Sequence, residues 1–342
     1  MKALVISGKN AAPVWREVAD LTAGTGEAIV RVHAAALNHR DVWIQRGQYA
    51  GLRYPIVVGS DGAGVVTAVG AGGDGQAWIG KAVIIDPALY WGGQAAYQDP
   101  GGFRILGLPD DGTMAEYVRV PISNLVEKPA HLSFEEAAAL PLAGVTAYRA
   151  LFTRAQVRAG ERLLITGIGG GVALFALQFA VAAGVQVFVS SGSDEKLERA
   201  KAMGAMGGVN YKNPGWVEEL RKLGGFDVIL DGAGGDGFSD LLDLCKPGGR
   251  VVLYGATRGN PSGVALRRIF WKQLNVLGST MGSPEDFAAM VSFVSKREIR
   301  PVVDSIFPPE DGEAAFELME EGGQFGKIVI SLQQPATYAS WP

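Results

Sequence analysis

The segment at 163–175, LLITGIGGGVALF, constrains the fold of this chain more than any other stretch. An apolar run ends at Thr166, glycines follow at 167, 169, 170 and 171, and a second apolar run opens at Val172. Strand, glycine turn and helix in that order set the backbone N–H groups of a helix N-terminus to face a pyrophosphate, with glycine permitting the close approach. A glycine pattern alone means little in a chain with 48 glycines among 342 residues. The surroundings give it weight. RLLIT (162–166), VQVFVSS (185–191), FDVILD (226–231), RVVLYG (250–255) and NVLGS (275–279) alternate with helical segments at βαβ spacing, which predicts an α/β fold with a doubly wound parallel sheet. Dinucleotide binding follows, with Gly167, Gly169, Gly170, Gly171 and Val172 in the loop and Gly232 and Gly255 closing later strands of the same site.

The end of the second strand selects the nucleotide. NAD-binding versions carry an acid there for the ribose hydroxyls. Here the strand runs out through Ser190, Ser191, Gly192 and Ser193, with no acid before Asp194. Small hydroxyl residues leave room for a 2′-phosphate that a carboxylate would repel, so NADP(H) is the expected cofactor.

Before about residue 128 the pattern is different. Short runs such as EAIVRVHAAAL (27–37), DGAGVVTAVG (61–70) and KAVIID (81–86), broken by glycine, describe a β-rich domain. The opening MKALVISG reads as its first strand, not as a secretory leader. The one cysteine, Cys245, allows no intrachain disulfide and no cysteine-built zinc cage, which fits a reducing cytoplasm and a small buried apolar residue. A net charge of −4 gives no footprint for nucleic acid or an anionic membrane, so a small molecule is the expected partner. The most apolar stretch, 172–183, is short of the roughly 20 residues a membrane span needs and reads as a buried helix. After Pro284 a helix, the segment RPVVDSIF, a second helix and the strand KIVISL either extend the sheet or return to the first domain, and the last ten residues lack periodicity.

Taken together, GEAIVRVHAAALNHRDVWIQRG, YPIVVGSDGAGVV, GTMAEYV, LPLAGVTAYRAL, the glycine loop and the closing GKIVI resemble, in order, the medium-chain dehydrogenase/reductase superfamily. The resemblance implies a GroES-like catalytic domain over 1–128 and 285–332, a Rossmann NADP-binding domain over 129–284 and a flexible tail at 333–342. Where zinc alcohol dehydrogenases of the superfamily hold their catalytic metal, the matching places read Asn38, Ser60 and Leu142. His33, His39 and His131 are scattered without ligand spacing, and the region 86–111, where the structural zinc lobe would lie, holds no cysteine but keeps Tyr90, Trp91, Tyr97 and Phe103. No metal is expected.

Asn38 and Asp41, followed by Arg46, Gly47 and Tyr49, resemble the signature of the zinc-free quinone oxidoreductase branch, and GIGGGVA resembles its glycine loop up to Ala173. By the same resemblance Lys196 and Tyr211 occupy the places of a 2′-phosphate grip, and Asn38, Tyr49 and Thr146 lie around the nicotinamide. Asn38 and Asp41 can equally cap a turn or helix. The expected activity is NADPH-dependent hydride transfer to a quinone or α,β-unsaturated carbonyl, because such acceptors need no Lewis acid. A zinc-independent carbonyl or enoyl-thioester reductase and a non-catalytic NADP(H)-binding sensor are the alternatives. A homodimer through the NVLGS edge strand is expected.

Overall fold

The computed structural model describes residues 1–72 and 74–333; the expected loose tail falls almost wholly outside them. The chain divides into two compact units, Met1–Leu142 with the chain from Arg300 onward, and Ala143–Ile299. Among the described residues no helix is long and apolar enough to cross a membrane.

The first unit is built on strand Glu27–Ala36, whose apolar residues are buried on both faces. Antiparallel partners Asp61–Val69 and Tyr117–Pro121 flank it, and Ala82–Ile85 and Leu125–Glu127 extend the sheet. On its other side lies Lys327–Ser331, which in turn pairs with Val303–Phe307. The C-terminal segment therefore returns to the first sheet. Three alanines, Ala34 to Ala36, make that strand thin enough for helix Phe134–Ala139 to lie on it through Ala137, Ala138 and Ala139. Strand Lys2–Ile6 pairs with Val14–Glu17 and Ile56–Val57 in a smaller sheet. Leu4, Ile6, Leu37, Ile44, Ile56, Ile85, Phe316 and Ile328 form the core.

The second unit is a six-stranded parallel sheet. Counted along the chain its strands Arg162–Ile165, Gln186–Ser191, Gly207–Asn210, Phe226–Asp231, Cys245–Leu253 and Asn275–Gly278 lie in the order 3-2-1-4-5-6 of doubly wound dinucleotide folds. Helix Gly171–Ala182 is buried through Leu174, Phe175, Leu177 and Phe179, as its all-round apolarity requires. Strand Gly207–Asn210 is absent from the sequence reading because two glycines hide its pattern. A Cβ at Gly208 would stand 2.8 Å from the Val189 carbonyl oxygen, so the strand can approach only as glycine.

Two boundaries differ from expectation. Residues 129–142 belong to the first unit, since the helical run from Phe134 breaks at Leu140–Pro141 and only the part beyond it joins the second. Helix Pro284–Arg297 stays with the second unit, held by Asp286, which pairs with Arg149 and accepts from the Thr153 hydroxyl at 2.5 Å. Cys245 is buried as expected and opens strand Cys245–Leu253.

The cysteine-free region 86–111 folds without metal ligands. Ala88–Leu89 pairs with Arg104–Ile105, and buried Trp91 meets Phe103 edge to face at 5.4 Å. Asp86 anchors it, accepting from the Ala88 N–H at 3.0 Å, while the Asn124 amide donates to its backbone carbonyl at 2.9 Å. Burial pushes the Asp86 carboxyl up to about 7, against 3.8 for a free one. The folded state therefore keeps a proton that the unfolded chain has lost, and stability falls as pH rises from about 4 to about 7. Asp86→Asn keeps the acceptor and removes the charge. It is expected to be more stable than wild type at about pH 8, by up to about 4 kcal/mol, with little difference at about pH 4, as read by urea denaturation at the two values.

Candidate active site

Strand Glu27–Ala36 runs through Leu37 into Asn38, the N-cap of helix His39–Gln45. Asp41, fully buried, takes the capping role: one carboxylate oxygen accepts from the Asn38 N–H at 2.8 Å and the other from the Gly59 N–H at 3.3 Å. Burial raises its pKa, opposed by the neighbouring Arg40 charge. Asp41, expected from the sequence as a catalytic residue or a cap, is placed here as an internal cap.

That cap leaves the Asn38 side chain free to turn elsewhere. Its amide nitrogen donates to Asp61 Oδ2 at 3.0 Å, and its oxygen accepts from Lys327 Nζ at 2.7 Å. Lys327 spends its other two protons on Asp61 Oδ2 at 2.9 Å and the Leu37 carbonyl at 2.6 Å. Asp61 Oδ1 accepts from the Leu142 N–H at 2.7 Å. An ammonium only donates, so Asn38 must present its oxygen to Lys327, and the amide orientation is fixed. One of its N–H bonds remains available. Lys327, from the GKIVI segment, was not singled out in the sequence; the signal was a lysine opening an otherwise apolar strand.

Ser60 looks the other way. Its hydroxyl donates to the Leu106 carbonyl at 2.7 Å and accepts from Arg40 Nη1 at 2.6 Å. Tyr49, half-buried, accepts from Arg40 Nε at 3.4 Å, and its ring centroid lies 5.0 Å from the guanidinium. His39 has an exposed side chain. These residues do not suit zinc: the three places offer an amide, a hydroxyl and a hydrocarbon, and both polar side chains are bonded to cation-bearing networks. Among the described residues no cluster of three or more His, Cys, Asp or Glu could hold a metal.

In the second unit the loop after Ile165 takes conformations that favour glycine, with φ of +67° at Gly167 and +132° at Gly169. Gly170 is the N-cap of the helix beginning Gly171-Val172 and offers no capping side chain, so the first N–H groups of that helix stay open to an anion. A Cβ at Gly169 would stand 2.9 Å from the Lys196 stem, which lies across the loop. Beyond the second strand, a Cβ at Gly192 would meet Tyr211 Oη at 2.8 Å and the Lys212 stem at 2.9 Å. The Arg258 guanidinium stands 5.6 Å from the Tyr211 ring centroid. Lys196, Tyr211, Lys212 and Arg258 thus surround a strand end with no carboxylate before Asp194, and an NADP(H) adenosine phosphate fits that donor set. Lys212 and Arg258 were missed; Lys212 directly follows the tyrosine. Ser191 is buried, its hydroxyl accepting from the Ser193 N–H at 3.2 Å and donating to the Ile168 carbonyl at 3.4 Å, so it braces the loop from behind. Gly232 and Gly255 lie against each other, a Cβ on Gly255 standing 3.0 Å from the Gly232 carbonyl oxygen. Thr146 is buried on helix Pro141–Tyr148.

A doubly wound nucleotide-binding unit and a β-rich unit bearing a polar network on one chain define a pyridine-nucleotide oxidoreductase class. Residues 24–130 match the alcohol dehydrogenase GroES-like domain, and residues 171–296 match the zinc-binding dehydrogenase domain. A zinc-type alcohol dehydrogenase-like protein YogA of Leptosphaeria maculans is 37% identical over 328 residues, covering 90% of this chain and 91% of that protein. An acryloyl-coenzyme A reductase of Metallosphaera sedula is 29% identical over 97% of this chain and its own full length. A crystal structure of an NAD-dependent alcohol dehydrogenase superposes with TM-score 0.91 at 37% identity, covering 97% of this chain and 100% of that one. The chain belongs to the medium-chain dehydrogenase/reductase superfamily and is an oxidoreductase of that type.

Lys327→Met strands the Asp61 carboxylate in the core and is expected to cost about 3–5 kcal/mol in chemical denaturation. Adding Asp61→Asn should recover part of that loss, because the orphaned charge and not the missing stem is responsible.

Proposed function

We propose that this protein is an NADP(H)-dependent reductase of quinones or α,β-unsaturated carbonyls that works without zinc. The observation that carries the reading is the bonding of Asn38 and Ser60, whose side chains meet Lys327 with Asp61 and Arg40 with Leu106 where zinc-type relatives would need metal donors. Bound NADPH supplies the hydride. The residues of this chain orient and stabilise. The acceptor oxygen gathers negative charge during such a transfer, and the groups offered to it are the remaining N–H of Asn38 and the Tyr49 hydroxyl. An unactivated ketone would need stronger polarisation than these neutral donors give, whereas an enone or quinone delocalises the charge. The acryloyl-coenzyme A reductase among the relatives favours an enoyl thioester as a second reading within the same chemistry.

NADP(H) over NAD(H) is supported by Lys196, Lys212, Arg258 and Tyr211 at an acid-free strand end, although one related structure is described as NAD-dependent. A homodimer is supported by strand Asn275–Gly278, which is an edge of the parallel sheet and has Val276 exposed. Leu266, Phe270 and Trp271 of the Leu266–Trp271 helix are likewise 61–81% exposed, an apolar patch that a second copy would cover. A cytoplasmic setting agrees with the lone buried thiol.

Loss of NADPH absorbance across a panel of quinones, enones and enoyl thioesters, with and without prolonged chelation, tests the reaction. Turnover unaffected by chelator is expected, and activity restored only by zinc would overturn the reading. Lys196→Ala should weaken NADPH binding about tenfold to a hundredfold in fluorescence titration while leaving NADH nearly unchanged, since a charge-assisted bond contributes about 1.5–3 kcal/mol. Equal losses for both nucleotides would assign the lysine to the fold. Trp271→Asp is expected to give a monomer in light scattering where wild type gives a dimer.

A further inference from the structure

The network just described leaves one charged group unexplained. Arg40 is 8% exposed, yet no carboxylate lies within ion-pairing distance of it among the described residues. Its Nη1 is shared between Ser60 Oγ at 2.6 Å and the Leu106 carbonyl at 2.7 Å. Its Nη2 is shut off from solvent with no hydrogen-bond partner. The other buried cations are neutralised: Arg149 pairs with Asp286, and Lys327 has all three protons bonded and a carboxylate at 2.9 Å. A buried guanidinium that is hydrogen-bonded only to neutral groups, with Asp41 near but not paired to it, costs folding free energy, and such costs concentrate where function requires them.

What Arg40 touches indicates that function. Ser60 accepts from Arg40 and donates to Leu106, so its hydroxyl is spent. Tyr49 accepts from Arg40 Nε at 3.4 Å, and its own O–H proton finds no acceptor among the described residues. Because the phenol oxygen faces an N–H donor, its proton must point away from Arg40. The bond is long, and the guanidinium 5.0 Å from the ring centroid adds a cation–π hold on the same side chain. The result is a half-buried hydroxyl, oriented and polarised from behind by a cation that makes no ion pair, with its O–H directed away from that cation.

We infer that Arg40 is a positioning residue that supplies, through the Tyr49 hydroxyl, the polarisation of the substrate oxygen that a metal supplies in zinc-type relatives. This rests on the proposed zinc-independent reduction. The step is balanced by that reaction: hydride from NADPH bonds to the β-carbon of an enone, the C=C π pair shifts to the bond between the α-carbon and the carbonyl carbon while the C=O π pair moves onto the oxygen, Tyr49 donates a hydrogen bond to that enolate oxygen, and a solvent proton then takes the pair at the α-carbon as the carbonyl re-forms, leaving NADP+. Arg40 itself bonds nothing new and gives up no proton. The neighbouring insert contributes the Leu106 carbonyl that pins the guanidinium, so the region at 86–111 serves the site by holding its cation.

The test uses 4-nitrophenolate, a coloured oxyanion that cannot be reduced by hydride at its charged oxygen, titrated into the full-length protein loaded with NADP+. Wild type is expected to bind it with a shift of its absorbance band. Tyr49→Phe and Arg40→Met should each raise Kd at least tenfold and abolish the shift, and the double variant should lie within twofold of either single one, since both remove one donor. Arg40→Lys keeps a cation able to reach Ser60 and Leu106 but has no Nε donor for Tyr49, so it should show the same loss and carries the test if Arg40→Met does not fold. Added guanidinium should restore the shift in Arg40→Ala. The inference is overturned if the arginine variants bind the probe within twofold of wild type, if the two effects multiply in the double variant, or if wild type does not bind the probe. Failure of the parent reading shows separately, as a wild type that binds 4-nitrophenolate but oxidises no NADPH with any quinone, enone or enoyl thioester.

Discussion

The ion pair between Lys327 and Asp61, buried on both sides, is the contact on which the first unit turns. It joins a strand near the C-terminal end to a strand in the first fifth of the chain, and draws in the Leu37 carbonyl, the Asn38 amide and the Leu142 N–H. A buried pair is favourable only when its remaining lone pairs and protons are satisfied, and here the ammonium has three acceptors and each Asp61 oxygen at least one donor. That completeness gives the site its rigidity. With the lysine fixed, Asn38 has a single allowed amide orientation, and Asp41 beneath it closes the first turn of the following helix.

The two units solve opposite electrostatic problems by similar means. Around the parallel sheet, the cations proposed to meet the nucleotide phosphate gather at a strand end, with Lys196 and Lys212 lying over glycines where any side chain would push their stems aside. In the first unit the cations are buried and short of freedom. Lys327 is neutralised and orients; Arg40 is not neutralised and polarises. Exposed charge suits a ligand that brings two or more negative charges of its own, since water screens each contact. Buried charge suits an oxygen that becomes negative only during reaction, where a low-dielectric setting magnifies a small displacement.

How much of this could be seen in the sequence depended on how local each signal was. The glycine loop, the missing acid after Ser191 and the empty metal places at Asn38, Ser60 and Leu142 are short patterns, and the fold class followed from strand and helix alternation. Strand Gly207–Asn210 escaped because its glycines answer to a close approach by Val189, a tertiary demand with no local trace. The unit boundary was misplaced because the run from Phe134 reads as one helix, although Pro141 divides it. Lys327 lies 266 residues from Asp61, and Arg40 lies 66 from Leu106, so neither partnership could be inferred without the sheet that brings them together. Asp41 was visible as a motif member and as a cap, through a bond to the Asn38 N–H three residues back, whereas its second bond, to the Gly59 N–H, has no local trace.

Zinc-independent reduction, as proposed above, leaves two needs, a scaffold at the places Asn38 and Ser60 occupy and a source of positive potential, and assigns them to separate residues. Zinc would impose its own tetrahedral geometry on whatever side chains bound it. An ammonium and a guanidinium cannot, because each is tethered to one backbone position and depends on neighbours to hold it there. Lys327 is held by its sheet, which is why its strand must return to the first unit. Arg40 is held by Ser60 from the strand-entry loop and by Leu106 from the cysteine-free insert, whose Trp91–Phe103 packing keeps it folded. The insert and the arginine act together in this reading: the Leu106 carbonyl anchors the cation without pairing its charge, which a carboxylate in the same place would do.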